Sequence, residues 1–138
     1  MEIVIDTREL YEYAVSRGYQ PLIDRRFRMP IALRVAIQTQ LFGREHSPEN
    51  YQKFYQWCWQ HKKHICEETM RPLHQYSASY VSHILTKGAH PNMAFDPRNV
   101  NILCYEMHNK WEFGNRESMR IYQSNQLIIA QLREDYGL

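Results

Sequence analysis

The stretch from Ser79 to Glu112, SYVSHILTKGAHPNMAFDPRNVNILCYEMHNKWE, decides the fold that we expect for this chain. A short run that ends at His83 precedes a loop rich in Gly, Pro and Asn over residues 87–97, which predicts an extended segment ending at a turn. The apolar pattern of residues 100–103 predicts a second short strand, and a helix is expected to begin near Tyr105. The predicted order is therefore strand, turn, strand and helix.

Four polar side chains are brought together by this order. His83 ends the first strand and exposes an imidazole beside a cleft, and Asn99 opens the second strand. His108 and Glu112 are four residues apart, which on a helix places imidazole and carboxylate on one face, close enough to share one cation. The sequence therefore predicts a metal site between the hairpin and the helix.

Three pieces of this region resemble the HNH, or ββα-metal, nuclease family. NVNILCYEMHNKWE is similar to that family's Asn, strand and Cys-x-x-Cys-His at the helix start, with Met107 where the second Cys often stands. CEETMRPL is similar to the matching Cys-x-x-Cys turn, with Thr69 in place of its second Cys. SHILTKGAHPNMAFDPRN resembles the branch that contains phage NinG-type recombination nucleases. The resemblance covers roughly residues 60 to 135.

The resemblance implies a role for each of the four side chains. His83 matches the general base, which takes a proton from water so that hydroxide attacks a phosphodiester; an imidazole suits this task because its unperturbed pKa lies near neutrality. His108 matches the helix metal ligand. Asn99 matches the middle residue of the motif, which hydrogen-bonds the loop and orients the base. Glu112 falls where some members carry a further ligand.

The expected cofactor is a divalent cation, and Mg²⁺ or Mn²⁺ is favoured because hard cations prefer oxygen ligands such as a carboxylate. Ser82 departs from the family pattern, in which the position before the base is often Asp or another ligand. The ion would then rest on His108, Glu112, water and the substrate phosphate. Another group such as His90 or Tyr80 is the alternative.

Structural zinc is not expected. Many relatives bind Zn²⁺ through four cysteines, but only Cys66 and Cys104 remain here, and neither Thr69 nor Met107 is a good replacement ligand. We expect these two cysteines to pack as small buried hydrophobes.

Helix start and stop signals divide the rest of the chain. Residues 1–60 are expected to form a helical extension packed on the motif of residues 61–138, within one compact domain. The predicted helices are Thr7 to Ser16, capped by Asp6 and ended by Gly18; the segment from Pro30 to Gly43; the segment opened by Ser47 and Pro48; and an amphipathic segment from Asn115 to Tyr136.

Composition limits the class of protein. The 138 residues are 43% hydrophobic, enough to bury one good core. Three cysteines do not make a disulfide framework, and no signal peptide or long apolar run is visible, so we expect a cytoplasmic protein that does not enter a membrane. The net charge of +2 permits nucleic-acid binding without demanding it.

Two surfaces could contact nucleic acid. Candidate phosphate contacts are the cations Lys87, Arg98, Lys110, Arg25 and Arg26. The aromatic run of residues 54–59 could stack on bases. Its spacing of three and four residues favours a helix face packed into the core instead.

The sequence thus predicts an α+β protein, mostly helical around a ββα-metal hairpin, that acts as a divalent-metal-dependent DNA endonuclease without a small-molecule cofactor. Two alternatives stay open. One is a nucleic-acid-binding module that keeps the nuclease scaffold without catalysis, and the other is a small helical interaction protein in which the histidines merely pack. The oligomeric state is left open.

Overall fold

The computed structural model describes residues 31–138 and combines helices with one short antiparallel sheet, so the mixed helix-and-strand class is confirmed. The predicted helix after Asp6 and the cations Arg25 and Arg26 lie outside the described residues. The elements are α1 (Ile31–Phe42), α2 (Pro48–His61), β1 (Val81–His83), β2 (Val100–Ile102), α3 (Tyr105–Phe113) and α4 (Tyr122–Asp135).

Local capping signals fix the ends of α1 and α2. Gly43 follows α1 with a φ of +96°, where a Cβ atom would lie 2.5 Å from the Asn50 side chain, so glycine is required on two counts. The Ser47 hydroxyl accepts a hydrogen bond from the Asn50 N–H at 3.1 Å, and Pro48 occupies the first turn of α2. The predicted end of α1 and the predicted start of α2 are confirmed here.

The hairpin of β1 and β2 presents two different faces. Val81 pairs with Ile102, Ser82 with Asn101, and His83 with Val100. Because side chains alternate along a strand, Val81 and His83 share one face while Ser82 lies on the other. The first face packs against α2 and the second towards α4, where the Asn101 amide donates to Asn125 at 3.1 Å.

The largest apolar cluster joins α2 to the first face of the hairpin. Phe54 and Trp59 are buried there against Val81 and Ile102. Burying one such aromatic side chain stabilises the fold by roughly 1.5–3 kcal/mol. The prediction that the aromatic run packs into the core is therefore confirmed for Phe54 and Trp59. Helix α2 forms one core with the hairpin.

A second cluster holds α3. Trp111 is buried with Ile84 and Cys66, and its indole N–H donates to the Ile84 carbonyl at 3.1 Å. This contact ties the helix to the residue directly after His83. The orientation of α3 against the hairpin is thus fixed by one buried side chain.

The last helix begins later than its sequence pattern predicts. A 3₁₀ turn spans Arg116–Ser118, and α4 starts only at Tyr122. The N–H groups of Arg120 and Ile121 donate to the carboxylate of Glu68, at 2.8 and 3.0 Å. This distant carboxylate satisfies the amides that enter the helix, and it fixes the start of α4.

A buried charged network holds the chain between the strands. The carboxylate of Asp96 is fully buried and accepts from Arg34 of α1 at 3.3 Å, from Arg98 at 2.8 Å and from the Tyr136 hydroxyl at 3.0 Å. Burial raises the pKa of Asp96, but the two guanidinium groups outweigh it and hold that pKa well below its usual range.

Within residues 31–138, none of the helices has the length and apolar character needed to cross a membrane.

Candidate functional site

His83 ends β1 with its ring held in one tautomer. Its Nε2 lies 2.9 Å from the carbonyl oxygen of Ala94. A carbonyl can only accept, so Nε2 carries the proton and Nδ1 keeps its lone pair when the ring is neutral. His83 lies at the end of a strand, as the sequence predicted, but the predicted exposure of its imidazole was wrong, because the ring is half-buried against side chains of α2.

Aromatic rings surround His83. Its imidazole stacks on Phe54 with centroids 5.8 Å apart, while Tyr51 and Tyr55 approach edge-on at 6.5 and 6.2 Å. Burial lowers the pKa of His83 to about 4, against the opposing effect of the Ala94 hydrogen bond, and the charges of Lys87 and His108 lower it further. The ring is therefore neutral at physiological pH.

Asn99 organises the connection that follows His83. Its side-chain oxygen accepts from the Leu85 N–H at 2.8 Å, and its amide donates to the carbonyls of Leu85 at 2.9 Å and Met93 at 3.3 Å. Its own carbonyl accepts from the Ile84 N–H at 2.8 Å. This fully buried side chain fixes both ends of the connection and, through Met93, the segment that supplies Ala94 to His83.

His108 and Glu112 converge on α3. The Nδ1 of His108 lies 2.6 Å from the Ser79 carbonyl, so Nδ1 is the donor and the Nε2 lone pair of the neutral ring is free. That Nε2 lies 3.6 Å from a Glu112 carboxylate oxygen. Two acceptors that face each other repel unless a cation or a proton lies between them.

This pair fits a divalent cation. A ligating imidazole usually donates its other N–H to a carbonyl or carboxylate, as His108 does to Ser79. Of the two donors, the Glu112 carboxylate suits the Mg²⁺ or Mn²⁺ expected from the sequence, whereas imidazole nitrogen is more typical of sites for Zn²⁺, Fe²⁺ or Ni²⁺. Within residues 31–138 no cluster of three or more His, Cys, Asp or Glu side chains is placed to hold a metal, so the described part of the chain offers two ligands.

Ser82 does not share the face of His83. Its hydroxyl is fully buried and has no hydrogen-bond partner among the residues that the structure describes. Since Ser82 pairs with Asn101 on the α4 side of the hairpin, the hydroxyl points away from the imidazole. Tyr80 is the alternative ligand that the sequence suggested. Its ring packs near that of Trp59, with the two ring centroids 6.2 Å apart.

The candidate phosphate contacts differ in exposure. Lys87 is exposed and Lys110 is half-buried. Arg98 does not fit its predicted role, because it is only 4% exposed and its guanidinium donates to Asp96 and Asp135. Its charge is neutralised inside the molecule by carboxylates.

Cys66 and Cys104 lie side by side, as their positions in the sequence led us to expect. Their sulfur atoms are 3.6 Å apart and both residues are buried. Burial raises the pKa of the Cys66 thiol, but N–H groups of Cys104, Thr69 and Glu68 that point at the sulfur outweigh burial and lower it. The absence of structural zinc stays a prediction.

Sequence reasoning missed the rings that flank His83. Tyr51 and Tyr55 are half-buried on α2, and His46 lies next to Tyr51 with its Nδ1 2.6 Å from the hydroxyl. The available signal was the spacing of four between the tyrosines, which places them on one helix face.

Comparisons with family models, with curated proteins and with solved structures found no match to this chain.

Proposed function

We propose that this protein is a divalent-metal-dependent endonuclease of the HNH type that hydrolyses phosphodiester bonds in DNA. The observations that support the proposal are the neutral imidazole at the end of β1 and the His108–Glu112 pair on α3, the helix that packs after the same hairpin. The free Nδ1 of His83 is the base, and His108 with Glu112 is the metal-binding pair.

His83 performs the proton transfer. Its neutral ring accepts a proton at Nδ1 from a water molecule while the water oxygen attacks phosphorus. The bond from phosphorus to the departing oxygen breaks, and that oxygen is protonated from solvent. The Nε2–H bond to Ala94 keeps the ring oriented and stabilises the imidazolium that forms. Asn99 maintains this geometry through the connection that it fixes.

His108 and Glu112 would hold the cation, with water and the substrate phosphate completing its ligands. When bound, the cation supplies Lewis-acid stabilisation of the charge that develops on the phosphate and the departing oxygen. Lys87 and Lys110 are the proposed contacts to the DNA backbone. Base catalysis alone contributes only about 10²- to 10⁴-fold, which is why the proposal includes a metal.

The test is nicking of supercoiled plasmid DNA in Mg²⁺ or Mn²⁺. We expect wild-type protein to nick, and His83→Ala to be slower by about 10²- to 10⁴-fold, the usual share of a general base. His108→Ala and Glu112→Ala should each require a higher metal concentration for half-maximal rate. The matched control is His74→Ala, because His74 is exposed and lines a different cavity.

Two outcomes would contradict this scheme in different ways. Folded wild-type protein that is inert across a wide range of metal and salt concentrations would remove the enzymatic proposal. Nicking by His83→Ala at the wild-type rate would remove the role of His83 while leaving the activity.

The second candidate is a DNA-binding module that has the scaffold without catalysis. The observation in its favour is that, among the described residues, no third His, Cys, Asp or Glu side chain joins His108 and Glu112 in a metal-binding group, while the Ser82 hydroxyl lies on the face of the hairpin opposite to His83. Retention of DNA in a gel shift without cleavage would support it. A cytoplasmic role in phage or mobile-element DNA processing is part of the proposal and rests on the family resemblance.

A further inference from the structure

An open groove lies between α2 and the connection that follows β1. It has a volume of ≈ 540 Å³ and is lined by side chains that include His46, Tyr51, Tyr55 and Lys87. Ligand-binding clefts commonly measure about 300–1,000 Å³. The groove is therefore large enough for one nucleotide.

Two tyrosines form the wall of the groove nearest the candidate base. Tyr51 and Tyr55 are one helical turn apart on α2, with ring centroids 5.8 Å apart and planes inclined by 30°. Both rings also approach His83 edge-on. The same two side chains therefore line the groove and contact the candidate base.

A positive charge covers the same rings. The Lys87 ammonium lies 4.2 Å from the Tyr51 centroid and donates to the Tyr55 hydroxyl at 3.1 Å. Lys87 is exposed, so its cost of desolvation is small and it can pair with an anion. An aromatic surface with an adjacent cation matches a ligand that has an aromatic ring and a phosphate. When the aromatic ring of such a ligand binds, the exposed Lys87 ammonium would move from the face of Tyr51 to the phosphate.

Tyr51 and Tyr55 pack on the edge of the core and keep part of each side chain exposed. Phe54 and Trp59 from the same helix are buried, whereas the two tyrosines are half-buried against that cluster. Their hydroxyl groups contact His46 and Lys87, which also line the groove. Burial, and then the neighbouring Tyr55, raise the pKa of Tyr51, so this phenol stays neutral and can donate or accept a hydrogen bond.

We propose that the groove binds an unpaired nucleotide of the DNA strand that is cut, with its base against Tyr51 and Tyr55 and a phosphate near Lys87. Stacking on aromatic rings requires a base whose face is free, and in a regular duplex each face is covered by a neighbouring base. The preferred substrate is single-stranded DNA or an unpaired segment of a branched molecule. This inference rests on the proposed function, because it names the substrate of the same site.

The direct test is binding without cleavage, measured by fluorescence anisotropy in EDTA. The probes are a labelled 20-nucleotide oligothymidylate and a labelled 20-base-pair duplex. We expect Tyr51→Leu and Tyr55→Leu each to weaken binding of the single strand by about tenfold, the effect typical of losing one stacked base. Binding of the duplex should change by less than about twofold. Equal loss on both probes, or no loss on either, would overturn the proposal.

Matched variants separate stacking from other effects. Tyr51→Phe keeps the ring and should bind the single strand as wild type does. Tyr105→Leu removes a more exposed tyrosine that lines another cavity and should have no effect. Lys87→Ala should weaken single-strand binding and make it less dependent on salt.

A crosslinking experiment covers the case in which Tyr51→Leu does not fold. The unmodified protein is irradiated with a single strand that contains 5-iododeoxyuridine, and crosslinked peptides are identified by mass spectrometry. We expect crosslinks within residues 46–59, where both tyrosines lie. Crosslinks confined to other segments would overturn the proposal.

Failure of this inference is distinguishable from failure of the nuclease proposal. Single-strand binding that depends on the tyrosines, in a protein that never cuts, removes the catalysis and leaves the groove. Plasmid nicking by Tyr51→Leu and Tyr55→Leu at the wild-type rate, with single-strand binding intact, removes the groove and leaves the nuclease.

Discussion

His83 is a histidine that the fold keeps uncharged. Its stacking on Phe54 removes water from one face of the ring, and the Ala94 carbonyl fixes which nitrogen carries the proton. As the proposed general base, a group with a pKa of about 4 would be unprotonated at neutral pH but would have a low affinity for the proton. The residue is suited to a step in which another charge makes the attacking water more acidic.

The low pKa of His83 predicts an acid-sensitive fold. The unfolded chain binds a proton at this ring near pH 6.5, whereas the folded chain does so only near pH 4. The contribution of the neutral His83 ring to the free energy of unfolding should therefore be fully present above pH 6.5. It should decrease as the pH falls towards 4, by up to about 3 kcal/mol.

Urea denaturation at several pH values measures this effect. His83→Gln serves as the reference, because glutamine does not titrate and all other groups are the same. The stability of wild type should fall more steeply than that of His83→Gln between pH 6.5 and 4. Parallel curves would show that the ring titrates normally.

At the scale of elements, helices and turns here are fixed by side chains from other segments. The turn at residues 66–70 supplies Glu68, whose carboxylate takes two N–H groups at the entrance to α4. A negative charge at a helix N-terminus also interacts favourably with the helix dipole. One turn thus determines where the last helix can begin.

Removing this carboxylate should destabilise the protein. We expect Glu68→Ala to lower the free energy of unfolding by about 1–2 kcal/mol, because two amide groups lose their acceptor. Glu117→Ala is the matched control, since Glu117 is an exposed acid in the turn that precedes α4. Urea denaturation of both variants measures the difference, and equal stability would show that Glu68 contributes nothing to α4.

For the molecule as a whole, Asp96 joins distant parts of the chain. It binds Arg34 of α1 and Tyr136 after α4, which are 62 and 40 residues away in sequence. Loss of a partner from a buried ion pair is expensive because the remaining charge stays out of water. The network therefore couples the first and last described helices to the connection beside His83.

Asp96→Asn should be strongly destabilising. We expect a loss of about 3 kcal/mol or more at pH 7, because Arg34 and Arg98 would keep their charges with a neutral amide between them. The depressed pKa of Asp96 adds stability that is present above its unfolded pKa of about 3.9 and is lost as the pH falls through the folded value.

Thermal unfolding from pH 7 to pH 2 tests this prediction. The difference in melting temperature between wild type and Asp96→Asn should shrink as the acid is protonated. Glu45→Gln is the control, because Glu45 is exposed and its replacement should leave the curve unchanged. A constant difference across the range would contradict the assignment.

The sequence predicted features whose cause lies within a few residues. The caps at Ser47 and Gly43, the strand after Asn99 and the helix at Tyr105 all depend on local signals and were located correctly. The inward turn of Arg98 depends on Asp135, 37 residues away, and the start of α4 depends on Glu68. These two long-range contacts leave no pattern in the sequence. The stacking of Phe54 on His83 leaves none either.

The stacking of Phe54 on His83 also determines how this protein can be trimmed. A fragment that begins at residue 61 would retain His83, Asn99, His108 and Glu112, yet its imidazole would be left open to solvent. In this fragment His83 would have an ordinary pKa near neutrality. The apolar face of the hairpin that packs against α2 would be exposed and would promote aggregation. Preparations intended for biochemistry should accordingly keep α2 attached.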